Sequence, residues 1–120
     1  MDIMRMSRDM ETGPEQYATG PFQLQNLRTG SEEGMLTAMR VTFDAGIRPH
    51  WHSHPAGQFL IVESGVGLVQ SEGGDIREVR QGDCIWFAPG EKHWHGAAAD
   101  SDFTYLSLQT IQDGRAVDWD

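Results

Sequence analysis

The sequence is poor in cysteine and in positive charge. Its one cysteine, Cys84, rules out a disulfide within the chain. Because this residue opens the apolar run 84–87, we expect it to be a small buried hydrophobe, with a reactive thiol as the alternative. Lys and Arg number 9 against 18 Asp and Glu, and the formal net charge is −9 at pH 7. This acidic balance argues against a nucleic acid or an anionic membrane surface as the partner.

Long apolar runs are also missing. No stretch approaches the roughly 20 apolar residues that a membrane-spanning helix needs. The first residues carry an acid at position 2 and no apolar core, which is not the pattern of a secretory signal. We therefore expect a cytoplasmic protein. A length of 120 residues predicts one domain, large enough to bury a core without disulfides.

Short runs rich in large apolar and β-branched residues are separated by Gly, Asp and Pro. Along 35–43 the alternation places Met39, Val41 and Phe43 on one face. The turn sequence at 72–75, between runs at 67–71 and 76–80, is typical of a hairpin. Further strands are predicted at 59–63 (which Gly65 is expected to end), 84–87 and 103–110. With no convincing amphipathic helix, the pattern predicts an all-β sandwich or barrel.

The predicted domain has three parts. Residues 1–33 are polar and interrupted by Gly and Pro, and we interpret them as an N-terminal arm with one short strand around Phe22 and Leu24. Within this arm, residues 1–8 are predicted to be a mobile lead-in or a segment exchanged with a second copy. Residues 34–112 are predicted to form the barrel, and 113–120 a short, mostly polar tail.

All five histidines fall in two short segments, 50–54 and 93–95. Residues two apart in a strand point to the same face, so His52 and His54 are expected to project together, as are His93 and His95. Gln58 begins the next strand after a Pro-Ala-Gly break and can reach the same face. Imidazole nitrogens suit divalent transition metals, and three of them with one oxygen donor leave open positions on a six-coordinate ion. The pattern therefore predicts a metal site.

The same residues resemble the cupin family. Its first motif is matched at every spacing by Gly46, His52, His54, Gln58 and Gly65. Its second motif is matched in order by residues 82, 89 and 93, with the glycine of the Pro-Gly turn offset by one position. The resemblance implies a single-domain jelly-roll β-barrel that holds one metal ion through His52, His54, Gln58 and His93.

Gln58 stands where most cupins have an acidic ligand. A neutral amide leaves the charge of the ion uncompensated, which favours Lewis-acid chemistry over redox cycling. A subgroup with this ligand set includes bacterial manganese-dependent hydroxynitrile lyases, and residues 82–98 and 113–119 are similar to theirs. The resemblance implies Mn as the native ion, with Zn, Ni or Fe as possible substitutes. Those lyases have a histidine where this chain has Tyr105.

Other positions are expected to serve the reaction. His95 shares the parity of His93 and is the first choice for a proton carrier, although a purely structural hydrogen-bonding role is equally consistent with the pattern. Tyr105 is the second choice, as a base whose pKa a nearby dication would lower. Tyr105, Ser107 and Gln109 form a polar stripe, which the cupin register would aim into the barrel. The expected pocket lining is Met39, Val41, Leu106 and Gln109.

Three functions are compatible with the sequence. The first is a metal-dependent lyase that cleaves or forms the C–C bond of a hydroxynitrile. The second is a metal-dependent dioxygenase or other oxidoreductase, and the third is a small-molecule binding domain without catalysis. The Gln58 ligand favours the first over the second, whereas Tyr105 weakens the first. By resemblance to small cupins, a homodimer or higher homo-oligomer is expected.

Overall fold

The computed structural model describes residues 1–5 and 10–119, and this part of the chain is all-β. It contains ten strands and one turn of 3-10 helix, Glu15–Tyr17. The strands are β1 Glu11–Thr12, β2 Phe22–Arg28, β3 Leu36–Phe43, β4 His52–Ser53, β5 Gln58–Ser71, β6 Arg77–Arg80, β7 Cys84–Phe87, β8 His93–Ala97, β9 Phe103–Thr110 and β10 Asp118–Trp119.

All strand pairs are antiparallel, and the two sheets of the barrel are joined through the long strand β5. The strand order is β1-β2-β3-β9-β5-β8-β4-β10, with β6 and β7 also paired to β5. The first half of β5 pairs with β7 and β9, and its second half pairs with β6 and β8. One strand therefore belongs to both sheets and holds them together.

Gly65 lies inside β5 and does not end it, contrary to the prediction of two separate strands. Its φ is +80°, and a side chain here would collide with the backbone carbonyl of Asp102. The pairing of β5 with β9 shifts between Val62 and Ser64. A bulge followed by a residue that tolerates positive φ lets the strand bend from one sheet into the other without stopping.

The interior is apolar at one end and polar at the other. Phe43, Leu60 and Phe103 are fully buried and belong to the same hydrophobic cluster. The inner face of β9 shows the change within one strand, since Phe103 and Tyr105 are followed by Ser107 and Gln109, all buried. The apolar end supports the polar end, where the histidines lie.

Several predicted elements are confirmed. The hairpin around 72–75 joins β5 to β6, and strands occur at 84–87 and 103–110. The short strand predicted in the N-terminal arm is β2, which pairs along most of its length with β3. The suggestion of an exchanged segment at 1–8 falls in part on residues 6–8, which lie outside the described residues.

Cys84 is exposed, so the prediction of a buried cysteine is wrong. In β7 the buried residue is Phe87, and alternation then turns Ile85 inward and both Cys84 and Trp86 outward. The apolar character of this run misled the prediction, because period-2 alternation and not composition decides which side chains reach the core.

Candidate metal site and cavity

Three strands bring the polar side chains to one end of the barrel. His52 in β4 is paired directly with His93 in β8, and Gln58 begins β5 after the turn that follows His54. His95 follows two residues after His93 on the same strand. All five side chains are buried, with at most 5% of any of them exposed. The structure therefore brings together every residue that the sequence predicted as a metal ligand, together with His95.

Three of the histidines are held in the same way by backbone carbonyls. The Nδ1 atoms of His52, His54 and His93 lie 2.7, 2.7 and 2.8 Å from the carbonyl oxygens of residues 50, 116 and 91. A carbonyl can only accept, so each Nδ1 donates its hydrogen. In the neutral ring the lone pair is then on Nε2, which is the arrangement that orients metal-binding imidazoles in proteins.

The Nε2 atoms have the surroundings expected of cation ligands. His54 Nε2 is buried with no hydrogen-bond partner among the described residues. His93 Nε2 lies 3.0 Å from Gln58 Oε1, so two acceptors face each other when His93 is neutral. Burial lowers the pKa of His93 to about 4 and also lowers that of His54, which keeps both rings neutral near pH 7. Imidazole nitrogens with an amide oxygen suit a divalent transition metal, and the residues fit such an ion.

His95 makes this cluster larger than the predicted set. Ring nitrogens of His52, His93 and His95 lie within 4.8 Å of one another, so these three buried histidines could hold a metal ion. The ring of His54 is centred 5.2 Å from that of His52 and 5.6 Å from that of His93. Neither nitrogen of His95 has a hydrogen-bond partner among the described residues, unlike the Nδ1 atoms of the other three rings.

His95 faces Tyr105 across the interior, with ring centroids 4.9 Å apart in an edge-on arrangement. Burial lowers the pKa of His95 well below its usual value, and the neighbouring histidines lower it further. Burial raises the pKa of Tyr105 well above 10. The phenol is therefore neutral at working pH and can donate a hydrogen bond. The predicted role as a base requires a nearby dication to lower this pKa, and it stays a prediction.

A cavity of about 280 Å³ opens beside the histidines. Its polar wall contains His52, His54, Gln58 and His95, together with Ser107 and Gln109. The rest of the lining is mainly apolar and aromatic: Pro14, Tyr17, Phe22, Leu24, Thr37, Met39, Val41, Phe43, Pro49, Tyr105, Ala116, Val117 and Trp119. The size is at the small end for ligand pockets, which suits a ligand with a single ring.

Met39, Val41 and Gln109 line this cavity, as the sequence predicted. Leu106 does not, and that prediction is corrected. Leu106 lies on β9 between Tyr105 and Ser107, both of which are buried on the inner face. Alternation therefore turns Leu106 to the outer face of the barrel, where it is only partly buried.

The C-terminal tail contributes to the site, which the sequence did not predict. β10 pairs with β4, and Trp119 lies directly across from His52, with ring centroids 4.7 Å apart. Trp119 also stacks on Tyr17 at 4.4 Å, and the carbonyl of Ala116 is the one that holds His54. Val117 and Trp119 are the only large apolar residues of a polar tail, a signal that could have indicated this packing.

The fold and the site define a small antiparallel β-barrel with a buried histidine cluster able to bind a metal. A family model for the cupin domain matches residues 39–109, more than half of the chain. The chain belongs to the cupin family.

Similar proteins agree with this assignment. An (R)-mandelonitrile lyase from Granulicella tundricola is 44% identical over 120 residues, covering 99% of this chain and 92% of that protein. A cupin-like protein from Thermotoga maritima has a TM-score of 0.84 and 32% identity, covering 99% of this chain and 88% of the other. A DMSP lyase from Ruegeria pomeroyi has a TM-score of 0.70 and 24% identity over 82% of this chain and 51% of its own, a likeness of fold alone.

Among the described residues there is no helix long and apolar enough to cross a membrane.

Proposed function

We propose that this cupin is a metal-dependent lyase that splits an aromatic cyanohydrin into an aldehyde and hydrogen cyanide, and that also forms the bond in reverse. The observation that carries the proposal is the opening of the histidine cluster onto a small, mainly apolar cavity that also contains His95. The 44% identity to an (R)-mandelonitrile lyase supports the substrate class.

We assign His52, His54, Gln58 and His93 as the residues that would hold the ion. The three imidazoles share the Nδ1-to-carbonyl hydrogen bond that presents Nε2 to the interior. His95 has no such bond to any residue that the structure describes. Mn is the proposed native ion because the chain resembles the manganese-dependent hydroxynitrile lyases of the cupin family. The amide oxygen of Gln58 suits Mn, whereas the imidazoles alone would also suit Zn, Ni or Fe. When bound, a divalent ion supplies Lewis acidity that lowers the pKa of a hydroxyl group beside it.

His95 is then the proposed proton carrier. It is neutral, its two ring nitrogens have no hydrogen-bond partner in the part of the chain that the structure describes, and it forms part of the cavity wall. It accepts the proton of the cyanohydrin hydroxyl as the C–C bond breaks, which leaves an aldehyde and a cyanide anion. His95 next returns that proton to cyanide, so the ring ends in the state in which it began. Tyr105, a neutral phenol opposite His95, is placed to donate a hydrogen bond to a substrate or product in the cavity.

The apolar wall fits the rest of the substrate. Met39 and Val41 line the cavity on β3, and Tyr17 and Trp119 add aromatic surface near its edge. A flat aromatic ring packs against such surfaces, while the single hydroxyl of a cyanohydrin reaches the polar wall. A cavity of about 280 Å³ favours a one-ring substrate over a larger one.

The test is release of benzaldehyde from mandelonitrile. Protein stripped with chelator and reloaded with Mn²⁺ is compared with the stripped protein, after subtraction of the spontaneous decomposition of the substrate. We expect turnover only in the loaded protein, and His95→Ala should lose about 10²–10⁴-fold of the rate, as expected for a general acid/base. His50→Ala is the matched control, because that side chain is exposed.

Loaded protein with no turnover above the stripped form would refute the lyase proposal. Oxygen uptake by that same preparation with catechols or flavonols would then favour the dioxygenase alternative.

A further inference from the structure

We propose that Gln109, acting with Ser107, is a positioning residue that fixes which end of the Gln58 side-chain amide faces the histidines. The inference rests on the proposed function, because it concerns how this chain presents its one amide ligand to a metal. It is carried by a series of buried or partly buried hydrogen bonds that runs from the backbone of β3 to Gln58.

The series of hydrogen bonds begins at the backbone carbonyl of Thr37, a group that can only accept a hydrogen bond. Gln109 Nε2 donates to the backbone carbonyl of Thr37 at 3.1 Å, which fixes the Gln109 amide so that its Oε1 faces inward. That oxygen accepts from the hydroxyl of Ser107 at 2.7 Å and from Gln58 Nε2 at 3.3 Å. Its position therefore selects the donor end of Gln58.

Ser107 makes the same selection. Its single hydroxyl hydrogen is donated to Gln109, so the Ser107 oxygen accepts from Gln58 Nε2 at 3.0 Å. Both hydrogens of the Gln58 amide are thereby used, and Oε1 is left facing His93 Nε2 at 3.0 Å. Because Gln58, Ser107 and Gln109 are all at most 5% exposed, water competes little for these groups.

An amide ligand needs its oxygen end to be turned toward the ion, whereas a carboxylate ligand does not. If the Gln58 side chain turned over, its NH₂ group would point at the ion, and nitrogen of that kind is a donor without a lone pair to offer. An ionised carboxylate at the same position presents an oxygen in either orientation. The hydrogen bonds from Thr37 through Gln109 therefore affect metal binding only while residue 58 is Gln. This difference between Gln and Glu at position 58 provides the test.

The experiment measures Mn²⁺ affinity, by competition with a metal indicator, in four proteins: wild type, Gln109→Met, Gln58→Glu and the double variant. Methionine is similar in length to Gln and cannot accept as an amide oxygen does. We expect Gln109→Met to weaken Mn²⁺ binding about 10- to 100-fold when residue 58 is the native Gln, the usual effect of losing a partner that orients a ligand. In the Gln58→Glu background the same change should cost less than about threefold, because either carboxylate oxygen can face the ion.

Two further variants complete the design. Gln70→Met is the matched control, because Gln70 bonds to Gly74 and Trp94 outside the cavity, and its Mn²⁺ affinity should equal that of wild type. Ser107→Ala replaces Gln109→Met if the latter does not fold. When residue 58 is Gln, it should weaken Mn²⁺ binding by less than Gln109→Met, because Gln109 still accepts a hydrogen bond from Gln58. Thermal unfolding of each metal-free variant shows whether it is folded.

An equal loss of affinity in the wild-type and the Gln58→Glu backgrounds would overturn the inference, since it would mean that Gln109 acts only through packing. No loss in either background would overturn it as well. Wild-type protein that binds Mn²⁺ and shows this coupling but releases no benzaldehyde would leave the inference standing while the proposed function fails.

Discussion

Acid should destabilise the metal-free protein. His54, His93 and His95 all contribute, and the part contributed by His93 can be given a size. Burial lowers its pKa from 6.5 to about 4. Above pH 6.5 the ring is neutral in the folded and the unfolded chain, so it adds no pH dependence. Between pH 6.5 and 4 the unfolded chain binds a proton that the folded chain does not, and falling pH therefore favours unfolding. The shift of about 2.5 units corresponds to about 3 kcal/mol, reached at pH 4 and constant below it.

This loss is a large share of the roughly 5–15 kcal/mol that stabilises a typical domain. It is measured by denaturant unfolding of the chelator-treated protein at several pH values from 7.5 to 4. His93→Gln, which cannot be protonated in this range, should show a shallower fall, whereas the exposed His50→Ala should follow wild type. If wild type and His93→Gln lost the same free energy over this window, the argument from burial would be wrong.

Three further predictions concern the metal and the tail. Saturating Mn²⁺ should raise the free energy of unfolding by about 3–4 kcal/mol at 100 to 1,000 times its dissociation constant, seen as a higher melting temperature that EDTA reverses; an unchanged melting temperature for protein shown to carry metal would contradict it. Gln58→Glu should keep the metal but slow cyanohydrin cleavage, because the added charge weakens the Lewis acid; equal rates would refute the charge argument. Trp119→Ala removes the stack on Tyr17 and the contact with His52, and should weaken Mn²⁺ binding, whereas Trp86→Ala on the exposed outer face should not.

Local rules predicted the parts of this structure that depend on alternation along one strand. Met39, Val41 and Phe43 share an inner face, as do Tyr105 and Gln109, because side chains two apart point the same way. The same rule excludes Leu106 from the cavity, since it cannot share a face with Tyr105. Leu106 was wrongly predicted to line the cavity because it is apolar, although its odd spacing from Tyr105 and Gln109 places it on the opposite face of the strand.

Contacts between distant segments could not be predicted in this way. The pairing of β10 with β4 joins residues that are 65 or more positions apart, and no local pattern in the tail specifies its partner. The hydrogen bond from His54 to the carbonyl of Ala116 also joins distant segments, so no local pattern predicts it. The bend of β5 at Gly65 was missed for a similar reason, because the glycine is required by the distant carbonyl of Asp102.

The inner face of β9 carries core residues at one end and residues that line the candidate site at the other. Phe103 belongs to the buried core and is fixed by packing, whereas Gln109, six residues further along the same face, accepts a hydrogen bond from Gln58, the proposed amide ligand. Tyr105 lies between these regions, packed against both Phe103 and His95. A change at position 105 therefore alters the donor or acceptor that faces the cavity without moving the strand, since register is set by β3 and β5 on either side. Under the proposed function, a tyrosine at this position leaves His95 as the imidazole that would transfer the proton, while the pairing of β9 with β3 and β5 does not depend on that side chain.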